Sequence, residues 1–175
     1  MTLTMKADVA AELVKRLRSG DYKQGQEKLA AGRQGDDNSL YHCCLGVLCE
    51  MAAEEGVVQR LEETEPTWTE EEPDDEYNRK VINFVGKNGN HDATLPIEVV
   101  EWAGIVTVVD DYAGHDSDTE PRALPNFDDF EGVGRFEAGI WVTTKDADKT
   151  LAGMNDNGKS FEEIATFIEE KVVKA

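Results

Sequence analysis

The stretch Tyr41-His42-Cys43-Cys44-Leu45-Gly46-Val47-Leu48-Cys49-Glu50-Met51 holds all three cysteines of the chain and its longest apolar run before residue 80. It limits what the chain can fold into because its surroundings are acidic: 37 Asp and Glu against 18 Lys and Arg give a net charge of −19 over 175 residues. A core must gather around this segment and the apolar faces that other elements can bring to it. Cys44, Val47, Leu48, Met51 and Ala52 share one face of a helix expected over residues 45–55, with strand character over 40–44 and a stop at Gly56. The cysteines read first as small apolar filler, since free cysteine is among the most buried residue types. Adjacent Cys43 and Cys44 are poorly placed to pair, so reduced thiols in a cytoplasm are expected rather than a secreted disulfide framework.

The remaining elements follow from periodicity and punctuation. Residues 6–18 carry Val9, Ala10, Leu13 and Leu17 at helical spacing, with Lys15, Arg16 and Arg18 in the last turn and Ser19-Gly20 as the stop. Residues 22–29 read as a loop and 32–38 as a polar turn. Alternation and β-branching predict strands over 79–87, ending at Asn88-Gly89, and over 105–109 and 134–144. Pro96 and Gly104 punctuate a short helix over 95–104. A short helix over 146–154, a turn at Asn155-Asp156-Asn157-Gly158 and a last helix from Ser160 close the chain. That last helix carries a Ser160/Glu163 capping box and an apolar stripe of Phe161, Ile164, Ala165, Ile168 and Val172.

The expected architecture is a compact α+β single domain over 1–175. Its N-terminal, central cysteine-rich and C-terminal helices pack with a small antiparallel sheet. Two acidic segments interrupt it, 54–78 with Pro66 and Pro73, and 110–132. Like-charge crowding and the two prolines argue against helix in the first, and both read as loop insertions.

Three blocks carry a family resemblance: Leu17-Arg18-Ser19-Gly20-Asp21-Tyr22-Lys23-Gln24-Gly25, then Tyr41 with Cys43-Cys44-Leu45-Gly46-Val47-Leu48-Cys49, and Leu151-Ala152-Gly153-Met154-Asn155-Asp156-Asn157-Gly158-Lys159-Ser160-Phe161. Leu95-Pro96 with Trp102-Ala103-Gly104 is a fourth, weaker block. In this order they resemble an uncharacterised family of small proteins from bacteriophages and from bacterial genomes carrying phage-derived segments. The resemblance implies a phage origin and a compact α+β unit formed by the two ends of the chain. It implies no activity, so it supplies no catalytic residues.

Chemistry read from the residues is mostly exclusion. No run approaches the ~18 apolar residues that span a bilayer, and residues 1–6 lack the pattern of a signal peptide. Neither a membrane nor direct nucleic-acid binding is expected, because the acidic field repels phosphates. Zinc is not expected: one helix cannot turn His42, Cys44 and Cys49 onto one tetrahedral ion. Asp116-x-Asp118-x-Glu120 and Asn155-Asp156-Asn157-Gly158 do not complete an EF-hand loop. No cofactor or metal is assigned. A cysteine enzyme would need a base beside Cys43 or Cys44, where a helix start lowers thiol pKa, yet His42 points elsewhere and His91 and His115 are remote. The last two helices resemble a helix-turn-helix only superficially, since Glu162, Glu163, Glu169 and Glu170 make the outer face anionic.

Gly158-Lys159-Ser160 opens a capped helix, whose N-terminus suits an anion. Arg18, Tyr22, Gln24, Tyr41, Asn155, Asp156 and Lys159 are therefore the candidate ligand-binding residues, for a small phosphorylated ligand. The function expected is that of a non-catalytic phage protein in the host cytoplasm, sequestering a small nucleotide-like signal in counter-defence or blocking a host protein. The alternative is an acidic DNA mimic that inhibits a basic host factor, with a cysteine enzyme third. A homo-oligomer is left open.

Overall fold

The computed structural model describes residues 2–33, 40–66, 78–87, 89–108, 134–137, 140–143 and 151–171. In chain order these form β1 (Thr2–Thr4), α1 (Ala7–Arg18), β2 (Lys23–Gln24), β3 (Ala30–Arg33), β4 (Tyr41–His42), α2 (Cys44–Glu54), β5 (Gln59–Pro66) and β6 (Asn78–Gly86). There follow β7 (Gly89–His91), α3 (Ile97–Ala103), β8 (Val106–Val108), β9 (Gly134–Glu137), β10 (Ile140–Thr143), α4 (Leu151–Asp156) and α5 (Phe161–Lys171). The fold is α+β.

Helix α2 is the centre. Every residue from Cys44 to Ala52 is buried except Glu50. It starts one residue earlier than expected because Cys43 serves as its N-cap, the Cys43 sulfur accepting the Gly46 N–H at 3.3 Å. Such a cap satisfies a donor that the helix itself leaves open. Around α2 gather Val9, Leu13 and Leu17 of α1, Val99 and Ala103 of α3, Leu151 and Met154 of α4, and Phe161, Ile164 and Ile168 of α5. Burying one side chain such as Leu48 contributes about 2 kcal/mol. Gly46 faces the backbone of Leu29, so close that a Cβ would lie 1.7 Å from the Leu29 carbonyl oxygen. Only glycine permits that approach.

The main sheet runs β2-β4-β3-β6-β5, with β7 beside the far half of β6. β5 pairs along β6 from Pro66↔Asn78 to Gln59↔Val85, while β3 pairs residues 79–81 and β7 pairs residues 84–86. Among the described residues of this sheet only β2 and β4 run parallel; the other pairings are antiparallel. β1 pairs with β8 and β9 with β10 as separate ribbons. Ala30, Ile82 and Phe84 face the helices and join the core, whereas Ala31 and Val81, on the opposite side of the pleat, are buried outside it.

Several expectations are corrected. The loop over 22–29 contains β2, and the polar turn over 32–38 begins inside β3, because Gly32 and Arg33 pair with Lys80 and Arg79. The first half of the acidic 54–78 segment is strand β5. Like charges that would crowd on a helix alternate along a strand, and Glu62 reaches Lys80 at 3.3 Å. The strand expected over 134–144 is a hairpin of two. Asn155 and Asp156, expected in a turn, close α4, and the turn falls at Asn157 and Gly158, the latter at φ +79°. Residues 67–77, the 110–132 segment and the first part of the helix expected over 146–154 lie outside the described residues.

Candidate ligand-binding site

The residues between α1 and β4 bring Gln24 to the α4–α5 turn. Its side-chain amide donates to Asn155 Oδ1 at 3.2 Å and to the Lys159 carbonyl at 2.6 Å, and its carbonyl oxygen accepts the Phe161 N–H at 2.9 Å. Asn155, fully buried, donates to the Gly25 carbonyl at 2.7 Å and accepts the Cys44 N–H at 3.3 Å. Asp156 Oδ1 accepts the Glu27 N–H at 3.4 Å, and Gln26 donates to the Asn155 and Asp156 carbonyls. One closed network therefore ties residues 24–27 to the start of α2 and to both C-terminal helices. The helix N-terminus expected to hold an anion is satisfied internally. Gln24 takes the Phe161 N–H, and Ser160 and Glu163 exchange capping hydrogen bonds at 2.9 to 3.2 Å. Lys159 and the cap together hold the Glu163 carboxyl down to about 2.

The other three candidates stand apart from that network. Arg18 bridges α1 to α5, reaching Glu162 at 3.0 Å, Glu169 at 2.7 Å and Thr166 at 3.3 Å. Tyr22 is half-buried, its ring edge-on to His42 with centroids 5.1 Å apart and its hydroxyl accepting from Arg16 at 3.3 Å. Tyr41 is different: it is the exposed large hydrophobic residue among those described, at 46%.

The cysteines are buried, and each thiol is pushed up by that burial, Cys43 to about 11 and Cys44 and Cys49 well above their ordinary value. Desolvation outweighs the helix start that favours a thiolate at Cys43 and Cys44. Cys44 Sγ donates to the Leu151 carbonyl at 3.2 Å. His42 Nε2 faces Glu50 at 3.2 Å, and His91 Nδ1 faces Thr94 at 3.3 Å. His115 lies outside the described residues. Burial thus favours the neutral thiol at all three positions.

A concavity of about 340 Å³ opens on the sheet face away from the helices, lined by Gly25, Gln26, Lys28, Ala31, Gly32, Arg33, Tyr41 and Arg79. Among the described residues its charged lining is cationic, in a chain of charge −19. The register explains the grouping. Ala31 lies opposite Tyr41 and Val81, and Arg33 lies opposite Arg79. Opposed residues, and residues two apart along a strand, project to one face. Lys28 is paired with Asp92. Lys28, Arg33 and Arg79 are not among the residues that sequence reasoning selects. Their one signal is charge of the minority sign, and Arg33 and Arg79 themselves lie 46 residues apart in the chain (79 − 33).

No curated protein and no solved structure matches the chain. A family model described as a domain of unknown function, DUF8296, matches residues 5–172, from the start of α1 to the end of α5, and the chain belongs to that family.

Proposed function

We propose that this chain is a non-catalytic binding protein, encoded by a bacteriophage and acting in the host cytoplasm, that sequesters a small phosphorylated ligand. The carrying observation is the concavity of Lys28, Arg33, Arg79 and Tyr41, whose charged lining among the described residues is cationic although acids outnumber bases 37 to 18 in the chain. Guanidinium forks match phosphate oxygens two at a time. The burial of all three thiols favours binding over catalysis at the cysteines. Of the seven residues selected from sequence, this reading keeps Tyr41 at the site. It gives Gln24 and Asn155 the task of fixing the strands that frame it. The phage origin comes from the three sequence blocks, and counter-defence is the role that sequestration of a host signal would serve.

A thermal-shift panel of phosphorylated metabolites, nucleotides and cyclic nucleotides tests the reading. A ligand at 100 times its Kd stabilises the fold by about 2.7 kcal/mol. Absence of any shift across the phosphorylated compounds would sink it.

The net charge of −19 supports a second reading, an acidic mimic of DNA that occupies a basic host factor. It predicts capture of a host DNA-binding protein that DNA displaces and that salt weakens steeply. Salt-insensitive capture would count against it.

A further inference from the structure

We infer that a second concavity, enclosed by α1, α2 and α3, seats an arginine side chain of a basic partner protein. It shares no lining residue with the cationic concavity and does not depend on the phosphate reading. It rests on the basic partner of the second reading above, and names the side chain and the place. Walls, floor and size carry it.

The walls are acidic. α1 supplies Asp8, Glu12 and Arg16, and the end of α2 supplies Glu54 with its C-cap Glu55. Arg16 ties the two helices together, donating to both Glu54 oxygens at 2.8 and 2.6 Å and to Glu12 at 3.0 Å. That guanidinium is committed within the chain. Four carboxylates against one guanidinium leave three negative charges in excess (4 − 1). Asp8 and Glu55 are exposed, and neither has a hydrogen bond or ion pair to its side chain among the described residues. The helix end adds to the imbalance. α2 has no basic residue of its own in the last turn, so its carbonyl end and the carboxylates of Glu54 and Glu55 are of one sign. A cation placed there is favoured by both.

The floor is apolar and aromatic. Val9 and Met51 are buried, and half-buried Trp102 of α3 stands beside them in the lining. An arginine side chain has the same division. Its stem packs on apolar surface, and its planar head stacks on an indole and forks onto carboxylates. A lysine ammonium matches the charge and lacks the plane.

The size fits a side chain. The space is about 200 Å³, below the roughly 300–1,000 Å³ of small-molecule sites. The net charge of −19 draws basic partners toward the chain, and this concavity gives one of their side chains a defined seat.

The test is NMR titration of the full chain with N-acetyl-arginine methylamide, beside its lysine and citrulline counterparts. Citrulline keeps the shape of arginine without the charge. The arginine probe is expected to shift the Trp102 indole N–H and the Glu54 and Glu55 amides, the lysine probe to bind more weakly, and the citrulline probe not at all. Asp8→Asn with Glu55→Gln should weaken the arginine probe about 5-fold, the scale of exposed ion pairs. Trp102→Leu, read at the Glu55 amide, should weaken it about 3-fold through the lost cation–π contact. Asp21→Asn with Glu170→Gln removes the same charge from outside the lining and should change nothing. Circular dichroism confirms that each variant is folded. If that outside pair weakens binding as much as Asp8→Asn with Glu55→Gln, or if citrulline binds as well as arginine, the seat is overturned. If the arginine probe moves none of these signals the seat also falls, and the DNA-displaced capture above decides the second reading separately.

Discussion

Gln24 and Tyr41 belong to one strand pair, β2 with β4, and meet opposite fates. In register Gln24 lies beside His42 and Lys23 beside Tyr41, so Gln24 and Tyr41 project to opposite faces. On the helix side, Gln24 is locked into a network with Asn155, Lys159 and Phe161 that leaves Asn155 with no exposed surface. On the other side, Tyr41 stands 46% exposed at the rim of a cationic concavity. Both residues are polar or aromatic groups beside the core. The difference is that the bonding capacity of Gln24 is used within the chain, whereas the Tyr41 ring keeps an exposed surface.

The sharpest way to break the comparison is through Leu29, which links the two faces. Its carbonyl accepts the Cys43 N–H at 3.1 Å and its N–H donates to the Asp92 carbonyl at 2.6 Å. Gly46→Ala would drive a methyl group into that carbonyl, at 1.7 Å before relaxation. A loss of about 4 kcal/mol in urea unfolding is expected, the upper range for overpacking combined with a lost buried hydrogen bond. A loss below about 1 kcal/mol would mean that α2 and Leu29 are not in such close contact. Next comes Asn155→Ala, which strands the Cys44 N–H and the Gly25 carbonyl. Two buried unpaired groups predict a loss of about 3 kcal/mol. Gln24→Ala should cost about 2 kcal/mol, and the pair should couple by about 1 kcal/mol in a double-mutant cycle. Strict additivity would show two independent sites instead of one network.

The open face should behave in the contrary manner. Arg33→Gln with Arg79→Gln is expected to weaken anion binding at the concavity, at a smaller cost in stability than Asn155→Ala. A large loss of stability from that pair would make the arginines structural and return the two faces to the same class.

The helices were legible in the sequence and the sheet was only partly so. Val9, Leu13 and Leu17 repeat at helical spacing, and Gly20, Gly56 and Gly104 stop helices with φ of +81°, +72° and +65°, so α1, α2 and α3 follow from local signals. β2 and β4 have two residues each, too short for any periodicity. β3 contains Gly32 and β5 is rich in glutamate, so both are strands by virtue of their partners and not their composition. The site shares that origin. Arg33 reads as part of a polar turn until β6 supplies Arg79 opposite it. Gln24 and Asn155 flank apolar blocks in the sequence, which suits a ligand site and is also what a structural network requires. Polarity beside a core cannot by itself separate a satisfied hydrogen bond from a vacant one.

The smallest effect concerns the helix start that the chain seals for itself. Glu163 accepts from the Ser160 N–H and hydroxyl and pairs with Lys159 at 2.9 Å. These contacts favour its charged form, lowering its pKa from 4.5 to about 2 in the folded chain. A depressed folded pKa contributes stability that is fully present above the unfolded value and is lost as pH falls through the folded one. The window therefore runs from pH 4.5 down to about 2. Because the carboxyl is exposed, solvent screening keeps the contribution small. NMR titration of the Glu163 carboxyl should give a midpoint near 2, moving toward 4.5 in Ser160→Ala as the cap loses its hydroxyl. A midpoint already near 4.5 in the unaltered chain would mean the cap is open in solution. The N-terminus of α5 would then be available to an anion after all, and the contrast between the sealed and open faces would weaken at its most exposed point.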